Sequence, residues 1–308
     1  MSLNDFQRTN AVGPDTLFSM PQGSSQTYAP ADTPPKQVIV EPLALTRLPV
    51  AMRTMGWDTA AALMQRWFES PAWQMPDEWK QPKTQPDSMS LSKAQCDESI
   101  VKMAWAMKYE RCRKAVEVAE SRLTTPNAAM RLKSLLKKSG WQGQNAFELG
   151  FYNMSALHMD AFSQVNFSQF GETWDVLDDM YGALGNATLK IGVAGKAYTE
   201  ESYTTNPTRH YFYVEHVGFY IRDYYDFNGL QYLGTWAQDR VLTKTETAAA
   251  FSPAGQLILH MKNGPFAAVT NSDFREYRDK TSKGGDYIIY SDILWKKADH
   301  VIDLGTWA

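Results

Sequence analysis

The sequence predicts an α+β protein, a helical N-terminal half packed with a mainly antiparallel, β-rich C-terminal half. Three observations carry this expectation. Apolar residues recur at helical spacing before about residue 185, the period changes to two beyond it, and the later apolar runs are separated by turns too short or too polar for helical crossovers. The divisions that follow are a Pro/Ser/Gln-rich tail over 1–36, a helical region over 37–185 and a β-rich region over 186–308.

With 308 residues, 44% hydrophobic and 21% charged, the chain can bury a real core, and its composition sits near the globular average. The excess is aromatic, with 10 Trp, 15 Tyr and 14 Phe. Such rings fill β-rich cores and also build interfaces and carbohydrate or lipid surfaces. A formal net charge of -3 and a pI near 6.0 give no strong field toward polyanions, so nucleic acid is not an expected partner. Locally, Leu91 to Gly140 carries eleven Lys or Arg against five Asp or Glu. A solvated helix face is the simpler meaning of that surplus, with a binding surface as the alternative. The opening MSLNDFQRTNAVG has no basic stretch leading into an apolar one, and no apolar run approaches the ~18 residues that cross a bilayer. The expectation is a protein made in the cytoplasm, with no transmembrane segment.

From Met1 to about Lys36 the chain is polar and Pro-rich, with too few apolar residues to offset the entropy of ordering, so a disordered tail is expected, with a docking arm as its alternative. Thr46 to Glu69 reads as two helical pieces broken near Gly56, with Asp58 or Thr59 as N-cap. The Pro-rich connector from Pro71 to Pro86, carrying Trp73 and Trp79, should be extended or turn-like. Ser92 and Gln95 have capping-box spacing, and apolar positions from Cys96 to Leu123 then recur for about thirty residues, predicting one long helix. Such a helix holds Cys96 and Cys112 roughly 24 Å apart, too far for a disulfide, so both thiols are expected to be free. Thr125-Pro126 and Gly140 bracket a short basic amphipathic helix.

In the second half, Leu189 to Ala197 alternates with period two, and Tyr211 to Ile221 is a run of β-branched and aromatic residues. Shorter strands are expected at Leu230–Trp236, Leu257–Met261, Phe266–Val269 and Tyr287–Trp295, with turns at Asn228-Gly229, Asn263-Gly264-Pro265 and Gly284-Gly285. Asp273 and Glu276 read as the N-cap and capping-box partner of a short helix. Leu233-Gly234-Thr235-Trp236-Ala237 returns as Leu304-Gly305-Thr306-Trp307-Ala308, but the flanking residues do not repeat.

No phosphate loop, dinucleotide fingerprint, nucleophile elbow or zinc-ligand spacing is present, so no cofactor is named and any metal stays open. His210 and His216, an even number of residues apart, are expected on one face of a strand, too far apart to share an ion. Asp223, Asp226, Asn228 and Asp239 form the densest set of oxygen ligands beside an aromatic β region. Asp223 and Asp226 are therefore the candidate catalytic pair, with His216 as acid or base and Tyr225 or Trp236 lining the cleft. Turn-forming hydrogen bonds are the simpler role for these oxygens, and only a sharp bend can bring His216, seven residues away, to Asp223.

The segments AMRTMGWDTAAALMQRWFESPAW, VGFYIRDYYDFNGLQYLGTWA and NSDFREYRDKTSKGGDYIIYSD resemble, in that order, segments of an uncharacterised proteobacterial family often encoded near type VI secretion genes. The resemblance spans about residues 47 to 295 and brings no catalytic residues with it. It implies a type VI secretion-associated protein, loaded from the cytoplasm and exported by a contractile injection system without a signal peptide. On that reading the chain is an antibacterial effector whose partners are a secretion-spike or adaptor protein and an immunity protein. The alternative is a non-enzymatic binding module such as an effector partner, adaptor or neutralising protein.

Overall fold

The computed structural model describes residues 43–171, 176–200 and 208–307, all within one compact unit, Val40–Ala308. The reading of residues 1–36 as a tail lies outside the described residues. The fold is α+β, and its centre is a mainly antiparallel sheet. Two long strands, β4 (Ala187–Glu200) and β5 (Arg209–Tyr225), pair along most of their length. On the far side of β4 lie β2 (Phe147–Leu149) and β3 (Gln164–Phe170). On the far side of β5 lie β8 (Tyr287–Tyr290) and β9 (Leu294–Gly305), and β1 (Cys96–Asp97) joins β8 in parallel.

The period-two pattern explains why this sheet has two different faces. Leu189, Ile191 and Val193 of β4 and Val217, Phe219 and Ile221 of β5 are buried on the core face. That face is shared with helices that precede β4 in the chain: α1 (Leu48–Thr54), α2 (Asp58–Glu69), α4 (Glu110–Ser121), α5 (Pro126–Lys138) and α7 (Asp179–Leu184). The other face receives α6 (Ala156–Phe162) and the connector that follows α2. Met159 of α6 reaches the sheet because Gly192 and Gly218, paired across β4 and β5, have no side chains; a Cβ on Gly192 would stand 2.4 Å from Met159 Cγ. A two-stranded sheet of β6 (Tyr232–Ala237) and β7 (Phe266–Thr270) carries α8 (Lys244–Ala249) and α9 (Pro253–Asn263). Helix α10 (Asn271–Thr281) then leads into β8.

Several sequence expectations are corrected by tertiary contacts. The long helix from Cys96 to Leu123 does not form. Ser92 N–H does donate to Gln95 Oε1 at 3.0 Å, but this closes an isolated turn. Cys96 then enters β1 opposite Ile288, and the Asp97 carboxylate accepts the N–H groups of Ser99 and Ile100 at 2.8 Å each. Local side-chain bonds of this kind compete with a helix. What remains helical is α3 (Met103–Ala106) and α4. Both cysteines are free, as expected, although the single helix from which their separation was argued is absent.

Leu257–Met261 is not a strand but the middle of α9, whose start is signalled locally by Ser252 capping Gly255 N and by Pro253 in the first turn. The expected Tyr287–Trp295 strand is two strands, β8 and β9. Thr270, not Asp273, is the N-cap of α10, and Asp273 is its reciprocal partner. Neither Asp58 nor Thr59 caps α2. Asp179, some 120 residues away in sequence, accepts from Thr59 N (3.2 Å) and Ala60 N (2.8 Å) in place of a local cap. Asp292 serves α3 in the same way, accepting from Met103 N at 2.6 Å.

Asp286 is a charged residue of the core, with a side chain 0% exposed. It accepts from Trp67 Nε1 (2.9 Å) and Met75 N (3.0 Å) and pairs with Arg278, which also donates to Gly284 O at 2.7 Å. Rings of Phe68, Phe227 and Phe274 surround Trp67 at 4.9 to 5.3 Å between centroids. Gly284, at φ 95°, lies against the indole, where a Cβ would come within 2.4 Å of it. Asp286→Ala leaves Arg278 buried without its counter-charge and is expected to cost about 3–5 kcal/mol of stability. Urea unfolding measures this, and a loss under about 1 kcal/mol would show that Arg278 finds water or another partner.

Candidate functional site

The outer face of the sheet collects the chemistry. Register places Lys190 of β4 opposite Tyr220 of β5, and Arg222 of β5 opposite Tyr290 of β8. Strand parity sends these four side chains, and Tyr224, to the face that α6 covers. Asp160 of α6 meets them. Its Oδ1 accepts from Lys190 Nζ (2.6 Å) and Tyr220 OH (2.7 Å), and its Oδ2 from Tyr290 OH and Ser88 OH (both 3.1 Å). Arg222 Nε lies 3.5 Å from the same oxygen and donates to Tyr290 OH at 3.0 Å, while Nη1 donates to Tyr224 OH at 2.7 Å. Tyr224 OH in turn donates to Trp79 O at 2.9 Å. The side chains of Asp160, Lys190 and Arg222 are only 9%, 13% and 4% exposed, so these contacts act in a low dielectric.

Two cations thus face one carboxylate. Burial by itself pushes the Asp160 carboxyl up, but Lys190 and Arg222, with the hydrogen bonds from Lys190 and Tyr220, bring it below the ordinary range. Burial pulls the Lys190 ammonium below the usual lysine value against the opposing pull of Asp160. Burial, then the charge of Asp160, raises both Tyr220 and Tyr290, so the phenols stay protonated and act as donors. A buried lysine beside a guanidinium and phenol donors able to hold developing negative charge is a set suited to proton transfer. The same bonds also pin α6 to the sheet.

The three residues singled out from the sequence are not brought together. A bulge at Glu215, where Ala194 and Gly195 of β4 face His216 and Val214, reverses the parity of β5. His210 therefore points to the core with Phe212 and Val214, packed between Trp141 and Trp307, and does not share a face with His216. His216 lies on the outer face against Tyr152 and Trp295, with centroids 4.9 and 6.3 Å away. Strand β5 continues from His216 to Tyr225, so Asp223 lies seven residues further along the strand and on the opposite face.

Asp223 is half-buried, and burial, with Asp226 nearby, pushes its carboxyl well above the usual range. Asp226 accepts from Lys80 Nζ (2.5 Å) and Asn228 N (3.1 Å), an ion pair combined with a turn. Asn228 donates to Met75 O at 3.0 Å, and Asp239 is exposed in a separate turn. Tyr225 stacks on Tyr287 and Trp236 packs edge-on against Trp57; both are core residues. Among the described residues no group of three or more His, Cys, Asp or Glu converges as metal ligands. Two shallow grooves, of about 420 and 550 Å³, lie beside the N-terminus of α5 and between α4 and β3, away from all of these groups.

Sequence reasoning missed Asp160, which sits in a short helix without a motif, and treated Lys190 as mere alternation. One signal was available: Lys190 and Arg222 interrupt strands that are otherwise among the most buried of the chain, and a buried charge requires a partner.

An α+β fold built around a mainly antiparallel sheet, with a charged cluster on its outer face, defines the class of protein. The chain belongs to DUF6402, a family of unknown function, whose model matches residues 43–305. No curated protein and no solved structure matches it.

Folded Asp160 lies below its unfolded value, about 3.9 for a free aspartate, so its contribution is present above that pH and is lost as pH falls through the lower folded value. Asp160→Asn is expected to lose about 3–5 kcal/mol near neutral pH, with the gap to the parent narrowing below about pH 4. Urea unfolding at stepped pH reads this directly; a gap independent of pH would mean that the charge of Asp160 does not hold the cluster.

Proposed function

We propose that this chain is a type VI secretion-associated effector, an antibacterial toxin loaded from the cytoplasm, whose chemistry resides in the Asp160–Lys190–Arg222 cluster. The secretion setting rests on the resemblance of its three segments to the family found near such genes. The observation that carries the catalytic part is Lys190, a nearly buried ammonium held below its usual value beside Arg222 and three phenols. In this reading Lys190 first releases its ammonium proton to solvent and, as the neutral amine held by Asp160, accepts a proton from the attacking group, while Arg222 with Tyr290 faces an anionic group of the substrate. The Arg222 guanidinium, which keeps its charge when Lys190 is neutral, supports an anionic substrate group over a cationic one.

A second reading, a non-enzymatic binding module, is favoured by one surface. Helix α9 buries only Leu259 and leaves Ile258 and Met261 63% and 80% exposed, with Phe251 81% exposed just before it. Apolar exposure of this kind marks interaction surfaces, here for a secretion-spike or adaptor protein.

Expression in the bacterial cytoplasm and periplasm separately decides between the readings. The effector is expected to lower viability in one compartment and to need a protecting neighbour. Lys190→Arg, which keeps the charge but removes the titratable ammonium, is expected to reduce toxicity by roughly 10²-fold or more with circular dichroism unchanged. Toxicity equal to the parent in folded Lys190→Arg would sink the catalytic assignment. A harmless parent that co-purifies with secretion components, and loses them in Met261→Asp, would establish the binding module.

A further inference from the structure

The connector after α2 crosses the polar cluster, and its two ends are held differently from its middle. At one end Met75 is fully buried and donates its N–H to Asp286, while Asp286 N donates to Trp73 O at 3.0 Å. At the other, Ser88 is 4% exposed and donates to Asp160. Between them, the backbone N–H groups of Trp79, Gln81 and Thr84 bond only to carbonyls of Pro76, Glu78 and Gln81, within the segment itself. Most of its residues are exposed. Its contacts outward are few: Lys80 on Asp226 at 2.5 Å, Trp79 O on Tyr224 OH, a 3.4 Å contact of Asp77 with Asn228, and the Trp79 ring against Trp73 at 5.2 Å.

We infer that residues 76–87 are a strap that gates the Asp160–Lys190–Arg222 site, with the Lys80–Asp226 ion pair as its latch. The inference rests on the reading of that cluster as the functional site. Segments with few buried apolar contacts and only internal backbone bonds open at low free energy while the rest of the fold stays closed. Lifting the strap breaks the Lys80–Asp226 ion pair and the Tyr224 and Asn228 hydrogen bonds, and it lifts the Trp79 ring from Trp73 and from the cluster around Met75. It leaves the core around Trp67 intact, because Met75 and Asp286 lie outside the moving part. Tyr224 OH, which relays from Arg222 to Trp79 O, then loses its acceptor, and the guanidinium it shields becomes reachable by an anionic group. Gating of this kind excludes water from a site until substrate arrives. Asp226, which the sequence marks as a catalytic candidate, acts here as a positioning residue that never meets substrate.

The test uses the full chain with Ser88→Cys as a buried reporter and Cys96→Ser to remove the half-exposed thiol. Position 88 directly follows the strap, so the rate at which Ellman's reagent labels it reads how far opening of the strap frees this end. Asp226→Asn and Lys80→Met are each expected to raise that rate about tenfold with the urea midpoint little changed, whereas Lys262→Met, on α9, is expected to leave it unaltered. Unaltered labelling in both latch variants, or a rate that rises only in step with global unfolding, overturns the gate and leaves the site to stand on the Lys190→Arg assay. Accelerated labelling together with full toxicity in folded Lys190→Arg overturns the site reading, and with it the gating of a site by the strap.

Discussion

The buried carboxylate of Asp286 is the contact on which the arrangement of the fold depends. It receives the indole N–H of Trp67 from α2, the backbone of Met75 from the connector that follows it and the guanidinium of Arg278 from α10, about 200 residues further along the chain. A charge with 0% side-chain exposure is tolerable only when fully paired, so none of these three elements can shift alone. Burial pushes this carboxyl up, and the indole, the Met75 N–H and Arg278 hold it back. The result is one rigid corner where helix, connector and sheet edge meet, and the aromatic rings around Trp67 pack against it.

Three separate stretches of the chain meet at that corner. The first of the three resembling segments contributes Trp67 and Phe68, the second Phe227, and the third Phe274, Tyr277, Arg278, Asp286 and Tyr287. These side chains converge on one aromatic cluster. The charged cluster overlaps this wording only in part: Tyr220, Arg222, Tyr224 and Tyr290 lie within the segments, whereas Ser88, Asp160 and Lys190 lie outside them. One sheet thus does two jobs, its core face binding the helices through apolar side chains and its outer face gathering charge under α6 and the strap.

The basic stretch from Leu91 to Gly140 shows how charge is spent in such a fold. Arg122 and Arg131 of the α4–α5 region donate to carbonyls of β3, Lys114 pairs with Glu110 along α4, and Lys133 reaches Thr306 O beside the Trp307 ring. Much of the surplus is engaged in docking helices onto the sheet and the C-terminal segment onto α5. The repeated Leu-Gly-Thr-Trp-Ala words have no common role: Trp236 packs against Trp57, whereas Trp307 packs against Trp141 and His210.

Features set by neighbours in sequence were legible in the sequence alone. The alternation in β4 and β5, the Thr125-Pro126 start of α5, the break before α2 and the α+β division all follow from local sterics and periodicity, which a chain carries wherever it goes. Tertiary structure decided whatever depended on partners far along the chain. Asp179 and Asp292 cap helices from across the fold, β8 draws Cys96 out of a helical pattern, and the Glu215 bulge moves His216 to the face opposite His210. The cluster joins Asp160 to residues 30, 60, 72 and 130 positions away. No local pattern encodes such a meeting, because it exists only once the loops between those residues have been closed by the burial of everything else.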